Sequence, residues 1–516
     1  MMSSPLLHLL IVCFCAVRVL ALAAAVPDDL SVQSSASSTK GALCCTALAL
    51  VLGSKVSFPK TAGYNAFVSS YWSAQEQAIR PSCVLSATSA QDVSTTIRIL
   101  APLLCKFAVR SGGHAALAGI ANIPDGVTID LGSLNQVKLS TDKLTVAVGP
   151  GQNWGGVYTA LQPQGVAVPG GRASGVGVGG STLGDGWGFL ANQAGFGCDN
   201  VVEYEVVLAS GTIVTATQTS NKDLWKALKG GGGNFGIVTK FVFRTYAVSS
   251  QIWAGGIVQL AQTQDLPQLA TAIYDFTANP QYKPKATLLV GYGSHPGLGL
   301  ILFIQVVNLE PVDRPAVFND FYALPGVQLY NTTSLTTLPG YAALFNLDSP
   351  SGLQQITWDF TFVSDKDTMQ ELWTLTDGSQ LQLSNVTGID WSLAFQPIAR
   401  GMTAASDTAS GGNNVLGIGQ APAQGLQLAI LSASFPNAAD YTKVKAVADK
   451  LLADVVAAAK RRNTYRPWVD LNHANWNQDV FASYGAANQQ FLRTTAKAYD
   501  PFGVFQNLKP GGFKLW

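Results

Sequence analysis

The sequence predicts an α+β protein of two lobes, and three observations carry that reading. Helical and strand-like segments alternate between Ser89 and Tyr246. The 51 glycines of the 516 residues concentrate between Arg110 and Gly236, at the ends of those strands. Near Gln251 the glycine clusters thin out and aromatics and longer variable loops follow, which marks a second lobe. A chain of this length buries a large core.

Each element has a local reason. Ser89 opens a capping-box-like "SAQD", after which Val93, Ile97, Leu100 and Leu104 recur at helical spacing up to Cys105. "FAVRSGGH" is a short apolar strand running into a glycine turn, and Gly126–Leu131 and Leu144–Pro150 read as further strands. "NWGGVYTALQPQG" reads as a helix closed by glycine. Val201–Leu208 and Thr212–Thr217 flank "ASG" as a hairpin, Asp223–Lys229 is a short helix, and Phe235–Tyr246 alternates as a strand. Further on, Asp440–Ala459 places Val444, Val447, Leu451 and Val455 on one helical face.

Composition excludes several classes. Charged residues make up 12% and hydrophobic ones 47%, with a formal net charge of +1. A nucleic-acid partner would require basic clustering, and disorder would require fewer apolar residues. The apolar run Pro5–Val17 followed by "LALAAA" reads as a secretory signal peptide over residues 1–23, interrupted by Arg18 in a way that a membrane anchor would not be. Gly41–Leu52 is apolar but short, as a packed helix would be. Secretion suits Cys44, Cys45, Cys83, Cys105 and Cys198, with Cys83 paired to Cys44 or Cys45 and the rest unpaired. Asn331 ("NTT") and Asn385 ("NVT") are then glycosylation acceptors.

Three glycine stretches carry the chemistry. In "RSGGH" two glycines after a strand expose backbone N–H groups suited to a pyrophosphate, and His114 is delivered to whatever the loop holds. That imidazole is a metal ligand, a base, a nucleophile toward a flavin methyl group, or a hydrogen-bonded surface residue. No second histidine lies near it in sequence, so zinc is disfavoured. In Pro169–Gly188, Gly175, Gly177 and Gly180 match G-x-G-x-x-G, but Gly184, Gly186 and Gly188 follow where a Rossmann helix should run. A glycine-lined loop along an extended ligand is expected instead. "GGGGNFGIVTKF" lacks the lysine of a P-loop.

Together "FAVRSGGH", "VTIDL", "VGVGG", "DNVVEYEVVLASG", "DLWKALKGGGGNFGIVT" and "YDPFGVFQNLKPGGFK" resemble the berberine-bridge-enzyme-like branch of the vanillyl-alcohol-oxidase flavoproteins, in its fungal form. The resemblance implies a PCMH-type FAD-binding fold over residues 76–248, after a lead-in over 24–75. It implies a substrate domain on a large antiparallel sheet over 249–462, and a segment over 463–516 returning to the FAD lobe. It implies FAD bonded to His114, and a pyrophosphate held by Arg110, Ser111, Gly112 and Gly113. Gly175, Gly177, Gly179, Gly180 and Ser181 would run along the cofactor, with Ile237 and Val238 near its adenine. No metal is implied.

The chain departs from that pattern at three points. Ala173 stands where many relatives carry a second flavin-bonded cysteine, so a single covalent link is expected. Asp185 enters a normally neutral glycine triplet. "DLNHA" replaces a tyrosine-x-asparagine-tyrosine segment, leaving His473 as first choice of catalytic base, Asp470 as second, and Asn472 to orient substrate or flavin. The activity implied is oxidation of an alcohol, aldehyde or C–H donor with O2 as electron acceptor, in fungal secondary metabolism. One alternative is an oligosaccharide oxidase with Trp391, Phe395, Trp468 and Trp476 lining a groove. Another is a flavin-binding protein that shapes a pericyclic reaction without redox turnover. The partners are a small-molecule substrate and O2, without nucleic acid or membrane anchor.

Overall fold

The structure, a computed structural model, describes residues 39–279, 281 and 283–516. The expected leader lies outside them. The local signals fold as their chemistry dictates. Ser89 Oγ accepts from the Asp92 N–H and starts the Ala90–Leu100 helix, whose Val93, Ile97 and Leu100 are buried. Asn153 caps Trp154–Leu161 through the Gly156 N–H, and Gly165 closes that segment at φ 71°.

Two small sheets build the glycine-rich half. The first has strand order Val56–Ser57, Cys83–Ser86, Val127–Asp130, Phe107–Arg110, and its last three strands are parallel. The second is antiparallel, in the order Val137–Leu139, Thr145–Val148, Ile237–Arg244, Val201–Val207, Ile213–Thr217. The parallel strands end at Ser86, Asp130 and Arg110. Ligands of open parallel sheets bind beyond such ends.

From Ile252 onward the chain is far more regular than a loop-rich reading suggests. A nine-stranded sheet runs through Ile252–Leu260, Gly299–Asn308, Ala286–His295, Asp390–Ile398, Leu426–Phe435 and Gln354–Val363. One face is covered by the helices Leu266–Thr277, Lys366–Leu381 and Tyr441–Arg461, and buries Leu288, Val290, Ile304, Trp358, Phe360, Leu393 and Leu431 among them. Successive side chains of a strand alternate between faces. The opposite face therefore presents Thr287, Gln305, Asp359, Thr361 and Gln396, of which all but Thr287 are buried.

Two sequence expectations are corrected. Cys45 does pair with Cys83, but Cys44 is not left over: it pairs with Cys105, and among the described residues only Cys198 is free, buried in the core. Adjacent cysteines on the Thr39–Leu52 helix diverge enough to reach two separate elements. The Pro169–Gly188 stretch is not loop throughout, since Val178–Gly184 is helical. Its glycines are tolerated because tertiary packing requires them. A Cβ on Gly179 would lie 2.8 Å from Ser111 Oγ, and one on Gly184 2.5 Å from Asn472 Oδ1. Thiol alkylation of the denatured, unreduced mature protein should label one cysteine, and five after reduction. Cys83→Ser should lower unfolding stability by about 2–4 kcal/mol in a denaturant titration.

Candidate active site

A cleft of about 450 Å³ opens beyond the parallel strand ends, lined by Ser86, Arg110, Ser111, Gly112, Asp130, Gly151, Asn153 and Gly175, among others. Arg110 builds its wall. The guanidinium donates to the Phe67 and Ser70 carbonyls, each at 3.0 Å, and lies over the Phe67 and Tyr71 rings. Ser111 Oγ donates to the Pro150 carbonyl at 2.5 Å and accepts from the Gly179 N–H at 3.1 Å. Gly112 passes so close to Gly177 that an added Cβ would lie 2.5 Å from the Gly177 Cα. Gly113 turns the chain at φ 70°.

The turn delivers His114 onto Trp72, with ring centroids 4.1 Å apart and planes 12° from parallel. Its Nε2 is buried without a hydrogen-bond partner, and burial pulls the imidazole down to about 4, so it is neutral at pH 7. A neutral, unpartnered ring nitrogen beside a glycine-lined cleft fits a group that bonds to it. Gly180 is exposed, with open space where its side chain would be. The Ser181 hydroxyl is engaged otherwise, donating to the Gly177 carbonyl and accepting from Trp154. Ile237 and Val238 are buried in the core on their strand and do not line the cleft.

The "DLNHA" turn docks on the glycine helix. Asn472 Nδ2 donates to the Ser181 carbonyl at 3.0 Å and to Asp185 Oδ1 at 2.6 Å. Asp470 is fully buried. Its N–H donates to Asp359 Oδ1, its Oδ1 accepts from the Asn472 N–H, and its Oδ2 faces His473 Nδ1 at 2.6 Å. His473 keeps about a quarter of its side chain exposed. Asp470, Asn472 and His473 are thus one hydrogen-bonded unit.

Three residues of this site carried a signal that the sequence reading passed over. Asp359 is the one charged residue of an alternating strand, Arg172 the one basic residue of the Pro169–Gly188 glycine stretch, and Tyr484 lies in the C-terminal segment. Burial pushes Asp185 and Asp359 well above the usual carboxylate range, each raised further by the Asp470 charge, and each keeps one oxygen without a partner. Tyr484, also buried, has its hydroxyl unpartnered and is pushed up by burial and then by the Asp470 charge. Among the described residues no group of histidine, cysteine and carboxylate side chains is arranged to hold a metal. Of the expected groove aromatics, Trp391, Phe395 and Trp468 are buried in cores and only Trp476 is exposed.

Residues 81–217 match the FAD binding domain family. The FAD-dependent monooxygenase tpcD of Cochliobolus heterostrophus is 34% identical over 471 residues, 89% of each chain. Among solved structures, 6-hydroxy-D-nicotine oxidase of Arthrobacter nicotinovorans superposes with a TM-score of 0.74 at 21% identity, covering 89% of this chain and 97% of that one. The berberine-bridge-enzyme-like protein 1 of Physcomitrella patens does so at 0.74 and 20%, covering 92% and 99%. The chain belongs to the FAD-dependent oxidoreductases, and its fold is the PCMH-type fold of the berberine-bridge-enzyme-like proteins. It is an enzyme of that family.

The raised carboxyls predict a pH dependence. An acid whose folded pKa exceeds its unfolded value binds more protons folded than unfolded, so its contribution falls as pH rises from about 4 through the folded value. Asp185→Asn keeps the Asn472 contact but cannot ionise. Its melting temperature should therefore fall less between pH 5 and pH 8 than that of the native protein.

Proposed function

We propose that this enzyme oxidises a small alcohol, aldehyde or C–H donor, with FAD bonded once, through His114, and O2 as electron acceptor. The observation that carries the reading is the His473–Asp470 pair, held on the glycine helix by Asn472. Bound FAD supplies the hydride acceptor and the route of electrons to O2.

The chain's own residues supply the rest. Asp470 Oδ2 accepts from His473 Nδ1–H, which fixes the tautomer and leaves the Nε2 lone pair to take the substrate proton. Asp470 then stabilises the imidazolium, as the carboxylate of a catalytic triad does. Burial first, and then the Asp470 charge, push the Asp185 and Asp359 carboxyls up, which disfavours further negative charge beside this pair. Ala173 offers no thiol for a second attachment. The relative's name, a monooxygenase, supports O2 as co-substrate. The buried positions of Trp391, Phe395 and Trp468 weigh against a sugar groove.

The two disulfides support passage through an oxidising compartment, after a leader over residues 1–23. The exposure of Asn331 and Asn385 supports their glycosylation there.

In an acid-denatured gel the native band should fluoresce as flavin and a His114→Ala band should not; a dark native band sinks the covalent link. Asp470→Asn should lower the rate of anaerobic flavin reduction by about 10²–10⁴-fold, against the loss expected for a misoriented imidazole. Peroxide released one-for-one with product supports the oxidase. Incorporation of ¹⁸O from ¹⁸O2 with little peroxide means monooxygenation. Product without flavin bleaching means no redox turnover.

A further inference from the structure

One outer edge of the large sheet is a strand of a kind that folded proteins ordinarily protect. Gln328–Asn331 and Ser334–Thr336 both pair with Ile252–Leu260, and among the described residues no further strand pairs on their other side. Residues 327–336 read "VQLYNTTSLT", with no charged residue and no proline. Val327 is 54% exposed, Tyr330 44%, Leu335 41% and Leu329 37%. An uncharged, β-prone edge without proline is a template for pairing with another chain. Lysines, prolines, bulges or a covering element usually blunt such edges. One bulge is present here, where the register shifts between Val258 and Gln259, but no charge accompanies it in residues 327–336.

The middle of the same segment is the acceptor tripeptide Asn331-Thr332-Thr333. Thr332 ties it to the sheet: its N–H donates to the Gly256 carbonyl at 2.9 Å, and its hydroxyl oxygen accepts from the Gly256 N–H at 2.9 Å. Asn331 itself is exposed. Its Oδ1 accepts from the Thr333 N–H at 2.9 Å and from the Thr333 hydroxyl at 2.7 Å, a turn that asparagine favours. The carbonyl end of the amide is thereby fixed. Nδ2, the atom that bonds to a sugar, takes no part in those contacts. The other acceptor, Asn385, follows the Lys366–Leu381 helix, is bonded through Oδ1 to Lys443 and is not on an edge strand.

We propose that an N-linked glycan on Asn331 closes this edge and keeps the enzyme from pairing through it with a second copy of the chain. The proposal rests on the secretory reading above, since the donor of such a glycan is a lipid-linked pyrophosphate oligosaccharide met in that pathway. Transfer forms a bond from Nδ2 to the anomeric carbon of the sugar. It breaks the bond from that carbon to the pyrophosphate, which leaves on its lipid with the amide proton. A bulky, hydrated chain at the centre of the edge excludes a second strand from both halves of it. Without it, two copies present the same antiparallel strand to each other and can pair about a two-fold axis.

The test is light scattering over a concentration series on the full chain secreted from a eukaryotic host, with glycan occupancy read by peptide mass spectrometry. The native protein should carry a glycan at Asn331 and stay monomeric. Asn331→Gln and Thr333→Ala, which each remove the acceptor, should raise the mass about twofold or more as concentration rises. Asn385→Gln should stay monomeric. Adding Leu329→Lys to Asn331→Gln should return the monomer, which a merely misfolded variant would not do. A monomeric Asn331→Gln, or a native protein that associates with its Asn331 glycan in place, overturns the proposal. Asn331 bare while Asn385 is occupied overturns it and leaves secretion standing. Both bare sinks the secretory reading with it.

Discussion

The site depends on one close passage of backbone against backbone, Gly112 across Gly177. No side chain fits between them: a Cβ on Gly112 would sit 2.5 Å from a Cα. The passage holds together because Ser111 bonds both ways from beside it, to the Pro150 carbonyl and from the Gly179 N–H. From there the rest follows in sequence. The contact sets the Val178–Gly184 helix against the end of the parallel sheet, and Asn472 reads that helix through the Ser181 carbonyl. The Asp470–His473 pair is thereby fixed relative to His114, although the two histidines are 359 positions apart in the chain.

The second constraint is the unusual character of the large sheet. An antiparallel sheet with one covered face commonly turns its other face to water. Here the second face is also buried, yet it carries Gln305, Asp359, Thr361 and Gln396. Burying such groups is costly unless they find partners. Asp359 finds one in the Asp470 N–H, and Gln396 finds one in Arg172. The polar face is thus the surface on which the C-terminal turn and the glycine stretch are seated. It also explains why the Asp359 and Asp185 carboxyls are pushed up, first by burial on this face and then by the charge of Asp470.

Much of the fold was legible because its signals are local. Ser89 with Asp92, Asn153 with Gly165, and the buried stripe Val444, Val447, Leu451 and Val455 each act within a few residues. The resemblance placed "RSGGH", the glycine stretch and a returning "DLNHA" segment in one lobe, but the Asn472 bonds to the Ser181 carbonyl and to Asp185 had no counterpart in the sequence reading. The helix at Val178–Gly184 was not legible, because glycine opposes helix locally and the packing of Gly179 and Gly184 that favours it comes from Ser111 and Asn472, both distant in sequence. Nor was the burial of Asp185 and Asp359. Strand alternation assigns a residue to a face, but not what covers that face. Ile237 and Val238 have their side chains in the core of their strand, a burial that the motif alone did not indicate.

The neighbouring cysteines of the Thr39–Leu52 helix have a geometric consequence. Successive residues on a helix are rotated by about 100° around its axis. Cys44 is bonded to Cys105, which follows the Ala90–Leu100 helix, and Cys45 to Cys83, at the start of a parallel strand. One such bond would hold the helix near the sheet while leaving it free to roll. Two bonds in different directions set its azimuth. Leu48 then points inward and Leu50 and Val51 outward, a rolling register imposed by covalent chemistry where the helix, apolar around most of its circumference, has little amphipathic preference of its own.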